Sequence, residues 1–172
     1  VDQFFLHILT FQAFIIVICS IGIAALGLID DIKPLTNKIR FVLQVFFAIC
    51  AVQFQNVLVP NLSLSSLDML TPYLAILWIV GFTNASNFMD GLNGLVGGCT
   101  LIAIAFLLYI IPMTEPLFYL LLGLFVSTAG FLRYNFHCGR IFLGDVGSQF
   151  LGFLIAASAL GTLNYPKEKV DF

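Results

Sequence analysis

Six long apolar stretches restrict this chain to folds in which helices are covered by lipid or by one another. They lie at about 4–29, 38–56, 70–86, 92–111, 117–133 and 147–163. A helix needs about 20 apolar residues to cross the hydrocarbon core of a bilayer, and 60% of this chain is hydrophobic while only 9% is charged. The sequence therefore predicts a single all-α domain over 1–172, a polytopic membrane helical bundle of about six transmembrane helices.

The uneven distribution of basic residues predicts the orientation of the bundle. Lys and Arg accumulate in the short cytoplasmic loops of membrane proteins. One set of alternate loops holds Lys33, Lys38, Arg40, Arg133 and Arg140, and the other holds only Lys167 and Lys169. The first set is therefore predicted to be cytoplasmic and the N-terminus to be outside. The formal net charge of −2 offers no basic excess for binding nucleic acid.

Four aspartates reach the predicted cytoplasmic face, and two of them are adjacent in the segment GLIDDIK. Asp30 and Asp31 lie at the C-terminal end of the first predicted helix, where the helix dipole disfavours negative charge and mutual repulsion raises one pKa. Asp90 and Asp145 reach the same face from later in the chain. We predict that the four carboxylates share a cation; the alternative for the adjacent pair is simple solvation at the membrane boundary.

The segment NASNFMDGLNGLVGG, residues 84–98, places amides, an acid and glycines between two apolar stretches. Asn84, Asn87 and Asp90 recur every three residues, so on a helix they project to roughly one side. The glycines at 91, 94, 97 and 98 allow a ligand to approach the backbone closely. This pattern suits a polar, phosphate-bearing ligand, although small residues at 94, 97 and 98 also favour close helix packing in membranes.

The segment RIFLGDVGSQFLG, residues 140–152, places Asp145 between two glycines immediately before an apolar helix, with Ser148 in its first turn. Backbone N–H groups at a helix start can hold phosphate, and an exposed carboxylate there can bind Mg²⁺. The alternative is an ordinary helix cap. In the preceding loop, His137 is a candidate for proton transfer or phosphate binding and Phe142 for stacking on a base; a lone loop His with neither role and a lipid-facing Phe are the alternatives.

The four cysteines indicate neither a zinc site nor a disulfide framework, because they show no paired spacing. Cys19, Cys50 and Cys99 lie inside apolar stretches and Cys138 lies in a polar loop. We interpret them as small buried hydrophobic residues. The chain begins at Val1 without Met, and its first apolar stretch is too long for a signal peptide. These features favour a piece of a longer membrane protein, incomplete at both ends.

Three segments, GLIDDIKPLTNKIRFVLQ, NASNFMDGLNGLVGG and FLRYNFHCGRIFLGDVGSQFLGF, resemble in order and spacing the polyprenyl-phosphate N-acetylhexosamine-1-phosphate transferase family, glycosyltransferase family 4. The resemblance implies transfer of a sugar-1-phosphate from a UDP-N-acetylhexosamine to polyprenyl (undecaprenyl) phosphate, with release of UMP, at the start of cell-envelope glycan synthesis. It implies Mg²⁺ as cofactor, with Mn²⁺ as an alternative. It also implies a multi-pass protein of the bacterial inner membrane whose active site faces the cytoplasm, and a homodimer as a further expectation.

Residue roles follow from the resemblance by position. It makes Asp145 the Mg²⁺ ligand, and Asp30 with Asp31 the acidic pair near the acceptor phosphate, one of them as the proposed base. The substrate-binding residues it implies are Lys38, Arg40, Asn84, Asn87, Asp90, Asn93, Asn135, His137 and Phe142, with Asn135 near the nucleotide and Phe142 stacked on uracil. Because a phosphomonoester is already largely ionised at neutral pH, a dedicated base is optional, and either aspartate could instead orient the acceptor.

The chain departs from the family pattern at three places. Asn93 stands where the family has Asp, Cys138-Gly139 stands where relatives often have Pro-Ala, and a His-rich loop expected further along is missing. We therefore expect residues 1–172 alone to be inactive. Two other classes stay open: an ion- or proton-coupled transporter using intramembrane aspartates, which predicts carboxylates near the bilayer midplane, and a non-catalytic fragment of a larger assembly.

Overall fold

The computed structural model describes residues 3–55, 70–136 and 141–164, and the regular structure in these ranges is helical. The helices are α1 (Gln3–Ile32), α2 (Asn37–Gln55), α3 (Thr71–Met89), α4 (Leu95–Ile110), α5 (Pro116–Phe136) and α6 (Gly144–Gly161), followed by a 3₁₀ turn at Thr162–Asn164. The predicted all-α bundle is confirmed, and each predicted apolar stretch forms a helix.

Several helix boundaries differ from the prediction by about three residues, and two of them shape the 84–98 segment. Helix α3 continues to Met89 instead of ending near residue 86, so Asn84 and Asn87 lie on a regular helix. The amide of Asn87 donates to α6, and the amide of Asn84 donates to α2 as well as to the carbonyl of Val80 in its own helix. Helix α4 begins at Leu95, after Gly94 has taken a left-handed φ of 76° that glycine adopts without steric cost.

Three helical segments are long and apolar enough to cross a membrane: Phe11–Ile32, Asn37–Phe54 and Pro116–Phe136. Leu95–Ile110 is a shorter apolar helix. Helices α3 and α6 bring amide and carboxylate side chains into the bundle. Many large apolar side chains on the outer faces of α1, α2, α3 and α5 are exposed, as expected of surfaces that contact lipid.

Helix α6 lies at the centre and packs chiefly against α1 and α3. Its residues Phe153, Leu154, Ala156 and Ala157 are buried on successive sides of the helix, which requires neighbours all round it. In lipid, close packing and polar contacts hold helices together. On this pattern α6 is the element against which the other helices are positioned.

Two glycines allow these close approaches. A Cβ on Gly27 of α1 would lie 2.5 Å from the carbonyl oxygen of Asp145, and a Cβ on Gly152 of α6 would lie 2.7 Å from Ser86 Oγ of α3. Both are below any ordinary contact distance, so only glycine fits without a shift of the helices. The approach at Gly27 brings the end of α1 directly against the start of α6.

The buried location predicted for the cysteines is partly wrong. Cys19 is buried and Cys50 partly buried, but Cys99 of α4 is exposed and lines a cavity between α3, α4 and α6. Cys138 lies outside the described residues.

Candidate functional site

The structure brings the four predicted aspartates together at one end of the bundle. Asp30 and Asp31 end α1, Asp90 follows α3, and Asp145 lies in the first turn of α6. Asp31 contacts the backbone of Asp145, Asp30 and Asp145 share a cationic neighbour, and Asp90 lies within electrostatic reach of Asp31 and Asp145. We call these four residues the acidic cluster.

Arg40, from the second turn of α2, links two members of the acidic cluster. Its Nη1 donates to Asp30 Oδ2 at 2.9 Å and to Asp145 Oδ2 at 3.4 Å. The other oxygen of Asp30 accepts a 2.6 Å bond from the backbone N–H of Leu35. The Asp30 side chain is only 8% exposed, so simple solvation at a membrane boundary is wrong for Asp30.

The Asp145 carboxylate has donors on both oxygens. Asn87 Nδ2 donates to its Oδ1 at 2.7 Å, and Gln149 Nε2 donates to its Oδ2 at 3.3 Å. Asn87 also donates to Ser148 Oγ at 3.0 Å, and that hydroxyl donates to the carbonyl of Gly144. Asp145 therefore faces α2 and α3 and does not cap α6; the position before the helix is Leu143, which makes no side-chain cap bond. The interpretation of Asp145 as an ordinary cap is wrong.

The start of α6 is capped by another helix. Asp31 Oδ1 accepts from the backbone N–H of Asp145 at 3.3 Å, and its Oδ2 accepts from that of Val146 at 3.4 Å. Gly144 makes room for this carboxylate, because a Cβ there would lie 3.0 Å from Asp31 Oδ2 and its φ is +62°. A negative charge at a helix N-terminus is favourable, so Asp31 stabilises the turn that carries Asp145.

Two members of the acidic cluster, Asp145 and Asp90, have raised pKa values. Burial raises the pKa of Asp145, the carboxylates of Asp31 and Asp30 raise it further, and the hydrogen bond from Asn87 opposes them. Burial also raises the pKa of Asp90, with Asp145 and Asp31 contributing in the same direction. Arg40 offsets only part of this negative charge, so an added cation would be attracted to the cluster.

A second polar layer lies behind the acidic cluster, and sequence reasoning missed two of its members. Gln44 of α2 and Gln149 of α6 are 1% and 0% exposed, and Gln44 Nε2 donates to Gln149 Oε1 at 2.9 Å. Asn84 Nδ2 donates to Gln44 Oε1 at 2.7 Å. A glutamine inside an apolar helix is a usable sequence signal, because a buried amide must find a partner.

Asn135 is buried and holds two loops together. Its Oδ1 accepts from the backbone N–H of Gly94 at 2.6 Å, and its Nδ2 donates to the carbonyl of Ile141 at 2.8 Å. Both ends of the amide thus contact backbone, one in the turn before α4 and one in the approach to α6. Its predicted position beside the nucleotide stays a prediction.

The remaining predicted residues lie on the surface or outside the described ranges. Lys38, Asn93 and Phe142 are exposed, with Phe142 63% exposed just before α6. Lys38 makes no ion pair with the residues described here. His137 lies in the gap between α5 and residue 141, outside the described residues.

Of the four glycines in the 84–98 segment, two pack against other side chains and two have open space beside them. Gly94 packs against Phe136, and a Cβ on Gly97 would lie 3.0 Å from Leu132, so close packing accounts for both. A Cβ on Gly91 or Gly98 would meet nothing within 4 Å. The packing interpretation is therefore wrong for Gly98.

An apolar cavity of about 220 Å³ lies between α3, α4 and α6. It is lined by residues that include Phe82, Ser86, Met89, Val96 and Ile155. Ser86 directly precedes Asn87, whose amide contacts Asp145. The apolar cavity and the acidic cluster therefore lie on neighbouring sides of the same turns of α3.

The acidic cluster suits a sparsely ligated metal ion. Across the described ranges, with their gaps at 56–69 and 137–140, no group of three or more His, Cys, Asp or Glu side chains is placed to enclose a metal. Mg²⁺ does not need such a cage, since it is usually held by one or two carboxylates together with phosphate oxygens and water. Asp145, with its raised pKa and carboxylate neighbours, fits this mode.

The fold and the site together define a class: a helical membrane protein with carboxylates, amides and one guanidinium gathered at one end of its bundle. Residues 13–162 match the model of a family described as glycosyl transferase family 4. The chain belongs to this family, and the family resemblance predicted from the three motifs is confirmed.

Two relatives illustrate the match. The chain is 38% identical over 159 residues to the "Probable undecaprenyl-phosphate N-acetylglucosaminyl 1-phosphate transferase" of Bacillus subtilis (strain 168), covering 88% of this chain and 42% of the relative. It is 31% identical over 163 residues to the phospho-N-acetylmuramoyl-pentapeptide-transferase of Staphylococcus aureus (strain JH9), covering 82% of this chain and 50% of the relative. The chain spans about half the length of these curated relatives.

Proposed function

We propose that this chain carries the acidic site of a polyprenyl-phosphate sugar-1-phosphate transferase. The reaction moves an N-acetylhexosamine-1-phosphate from a UDP-sugar to polyprenyl phosphate and releases UMP. The observation that carries the proposal is the convergence of Asp30, Asp145, Asn87 and Arg40 at one end of the bundle. Relatives named as transferases of this kind support it.

The chemistry requires two anions to meet. An oxygen of the acceptor phosphate forms a bond to the sugar-linked phosphorus, and the bond from that phosphorus to the bridging oxygen breaks as UMP leaves. Mg²⁺, when bound, would supply positive charge against the pyrophosphate, and Asp145 would hold it. Arg40, already between Asp30 and Asp145, and the exposed Lys38 add positive charge from the chain itself.

The other residues act mainly by positioning. The acceptor phosphate is largely ionised at neutral pH, so its oxygen can attack without a base. Both oxygens of Asp30 are already hydrogen-bonded, which favours a role in holding Arg40 over one in proton transfer. Phosphoryl transfer depends chiefly on alignment and charge stabilisation, which suits a site of fixed helix ends.

We place the site at the cytoplasmic face of a bacterial inner membrane. The acidic cluster shares its end of the bundle with Arg40 and Lys38. Arg133 belongs to the same end, because its neighbour Asn135 contacts Gly94 in the turn after α3. Basic residues gathered at one end support a cytoplasmic location.

A transporter fits the described residues less well. It requires ionisable groups along a path through the bilayer. Here the carboxylates lie at helix ends, and the polar layer behind them consists of the uncharged amides Gln44, Gln149 and Asn84. The arrangement supports a surface reaction with substrates on one face of the membrane.

The test is release of UMP from a UDP-N-acetylhexosamine by the full-length protein in lipid nanodiscs, with polyprenyl phosphate as acceptor. We expect release that needs the acceptor and Mg²⁺ or Mn²⁺ and stops on chelation. Omission of the acceptor is the control for simple hydrolysis. Metal-independent release, or no release with any N-acetylhexosamine donor, would contradict the proposal.

A further inference from the structure

The partly buried Asn84 and the buried Gln44 and Gln149 form a continuous series of hydrogen bonds that ends on Asp145. Gln44 and Gln149 are almost completely buried, and their mutual bond joins α2 to α6. An amide in such surroundings costs free energy unless its donors and acceptors are matched. The direction in which these amides donate, from one to the next, is therefore fixed by their partners.

The direction of donation is set at Asn84, the amide furthest from Asp145 in the series. Asn84 Nδ2 donates to the backbone carbonyl of Val80 at 2.8 Å as well as to Gln44 Oε1. A backbone carbonyl only accepts, so the Asn84 amide must present its nitrogen on this side. Gln44 must then present its oxygen to Asn84 and its nitrogen to Gln149 Oε1. This leaves Gln149 Nε2 as the group that faces Asp145 Oδ2, at 3.3 Å.

We propose that Gln44 is a positioning residue for Asp145: by engaging Gln149 Oε1 it forces Gln149 to present an N–H donor to the Asp145 carboxylate. The inference rests on the proposed function, because it gives Gln44 a part in setting the carboxylate that would hold the metal. Gln44 itself bonds to Asn84 and Gln149, so its effect on Asp145 passes through Gln149.

Without Gln44, the Gln149 oxygen loses its donor, and only the long 3.3 Å bond to Asp145 still favours the orientation with Nε2 towards the carboxylate. A Gln149 rotated by half a turn would place its oxygen against Asp145 Oδ2 and repel it. The carboxylate would then keep Asn87 at Oδ1 and only the 3.4 Å contact from Arg40 at Oδ2. Loss of groups that orient a metal ligand commonly costs about 10- to 100-fold in metal affinity.

The experiment uses Mn²⁺ alone as the probe, bound to the full-length protein in nanodiscs without substrates and followed by electron paramagnetic resonance. The variants are Gln44→Met, Gln149→Met and the double variant, since methionine is unbranched and close in shape to glutamine. Gln53→Met is the matched control, because Gln53 lies exposed on the same helix as Gln44. Thermal unfolding is measured on every sample, and Gln44→Asn, an amide too short to reach both partners, serves where a methionine variant does not accumulate.

We expect each single variant to weaken Mn²⁺ binding about tenfold and the control to leave it unchanged. The double variant should bind Mn²⁺ like Gln149→Met, because on this proposal Gln44 acts on Asp145 through Gln149. Its melting temperature should lie above those of the single variants, because removing both partners leaves fewer buried groups unpaired. Stability would then partly recover in the double variant while metal affinity stays low.

Three results would overturn the inference. Normal Mn²⁺ binding by Gln44→Met beside weakened binding by Gln149→Met would show that Gln44 does not act on Asp145. Recovery of both affinity and stability in the double variant would reduce the pair to a packing role. No Mn²⁺ binding by the unmodified protein would remove the metal site and this inference together. The expected Mn²⁺ pattern without UMP release would support the positioning role and overturn only the transferase proposal.

Discussion

At the scale of single residues, Asp145 is the point on which the site converges. Side chains from three other helices approach it: Arg40 from α2, Asn87 from α3 and, through backbone contacts, Asp31 from α1. Its own helix adds Gln149. A carboxylate held by so many donors can still bind a cation through its remaining lone pairs, and its charge is the property that a test should remove.

Replacing Asp145 with Asn should reduce kcat for UMP release by at least about 10²-fold, comparable to the loss of one strong electrostatic contact. Asn keeps the size of the side chain and can still accept from Asn87, but it cannot hold Mg²⁺ by charge. The measurement is UMP release against Mg²⁺ concentration, with Asp30→Asn and Asp31→Asn as comparators. Near-normal rates and metal dependence for Asp145→Asn would exclude Asp145 from the metal site.

Replacing Asp90 with Asn should raise the melting temperature at about pH 7 but not near pH 4. Burial, Asp145 and Asp31 raise the pKa of Asp90 above its usual 3.8. A carboxyl whose pKa is raised by folding contributes stability below its ordinary pKa, and this is lost as pH rises through the folded-state pKa. The neutral Asn does not undergo that loss.

Thermal unfolding across this pH range tests the Asp90 prediction. The exposed Asn93 lies in the same turn, so Asn93→Ala is a control whose difference from the unmodified protein should not vary with pH. A stability gain for Asp90→Asn that grows as the pH is lowered would contradict the predicted sign.

At the scale of elements, the site depends on how closely α1 approaches α6. Asp31 can accept from the first N–H groups of α6 only because Gly27, one turn earlier in α1, lets the two backbones meet. Asp30, next to Asp31, is joined to Asp145 of α6 through Arg40 of α2. The spacing between α1 and α6 therefore controls the positions of both Asp30 and Asp31.

Gly27→Ala should lower both stability and turnover. The added methyl would lie 2.5 Å from the carbonyl oxygen of Asp145, and overpacking of this kind typically costs about 1–3 kcal/mol. Gly130→Ala in α5 is the matched control, since a Cβ there meets nothing within 4 Å and alanine favours helix by up to about 1 kcal/mol. Melting temperature and UMP release are measured for both variants. Equal values for Gly27→Ala and Gly130→Ala would show that α1 and α6 can move apart without loss of stability or turnover.

At the scale of the whole molecule, the proposed orientation puts the acidic cluster and the loop after α5 on the cytoplasmic side. Asn135 ties the end of α5 to the turn after α3, and Asp90 of that turn interacts with Asp145. The acidic cluster and the loop after α5 must therefore lie on the same side of the membrane, whichever way the bundle is oriented.

Cys138 should be the native thiol that a membrane-impermeant maleimide labels from the cytoplasmic side. Cys19 is buried in the bundle and Cys50 partly so, while Cys99 lies exposed on the apolar helix α4, where lipid should shield it. Labelling of inverted and right-side-out vesicles provides the measurement. Cys138→Ser should abolish labelling and Cys99→Ser should not; labelling of Cys138 only from the outside would reverse the orientation.

Much of the site could be predicted because its residues fall at helix ends that alternate between two faces. Asp30, Asp90 and Asp145 were expected on one face from topology alone, and the structure brings them together. The capping of α6 by Asp31 and the contact between Gln44 and Gln149 were not predicted. Both depend on the rotation of helices about their axes, which spacing along one helix does not reveal.

The sequence by itself determined the helices, the family and which end of each helix carries charge, because hydrophobic length, motif order and basic residues are local properties of the chain. Only the tertiary structure decided which donors meet which acceptors. Residues 105 positions apart, Arg40 with Asp145 and Gln44 with Gln149, meet because α1 and α3 pack on α6 and α2 packs on α1 and α3. That packing is set by glycine contacts and buried amides acting together, and no single segment contains the information for it.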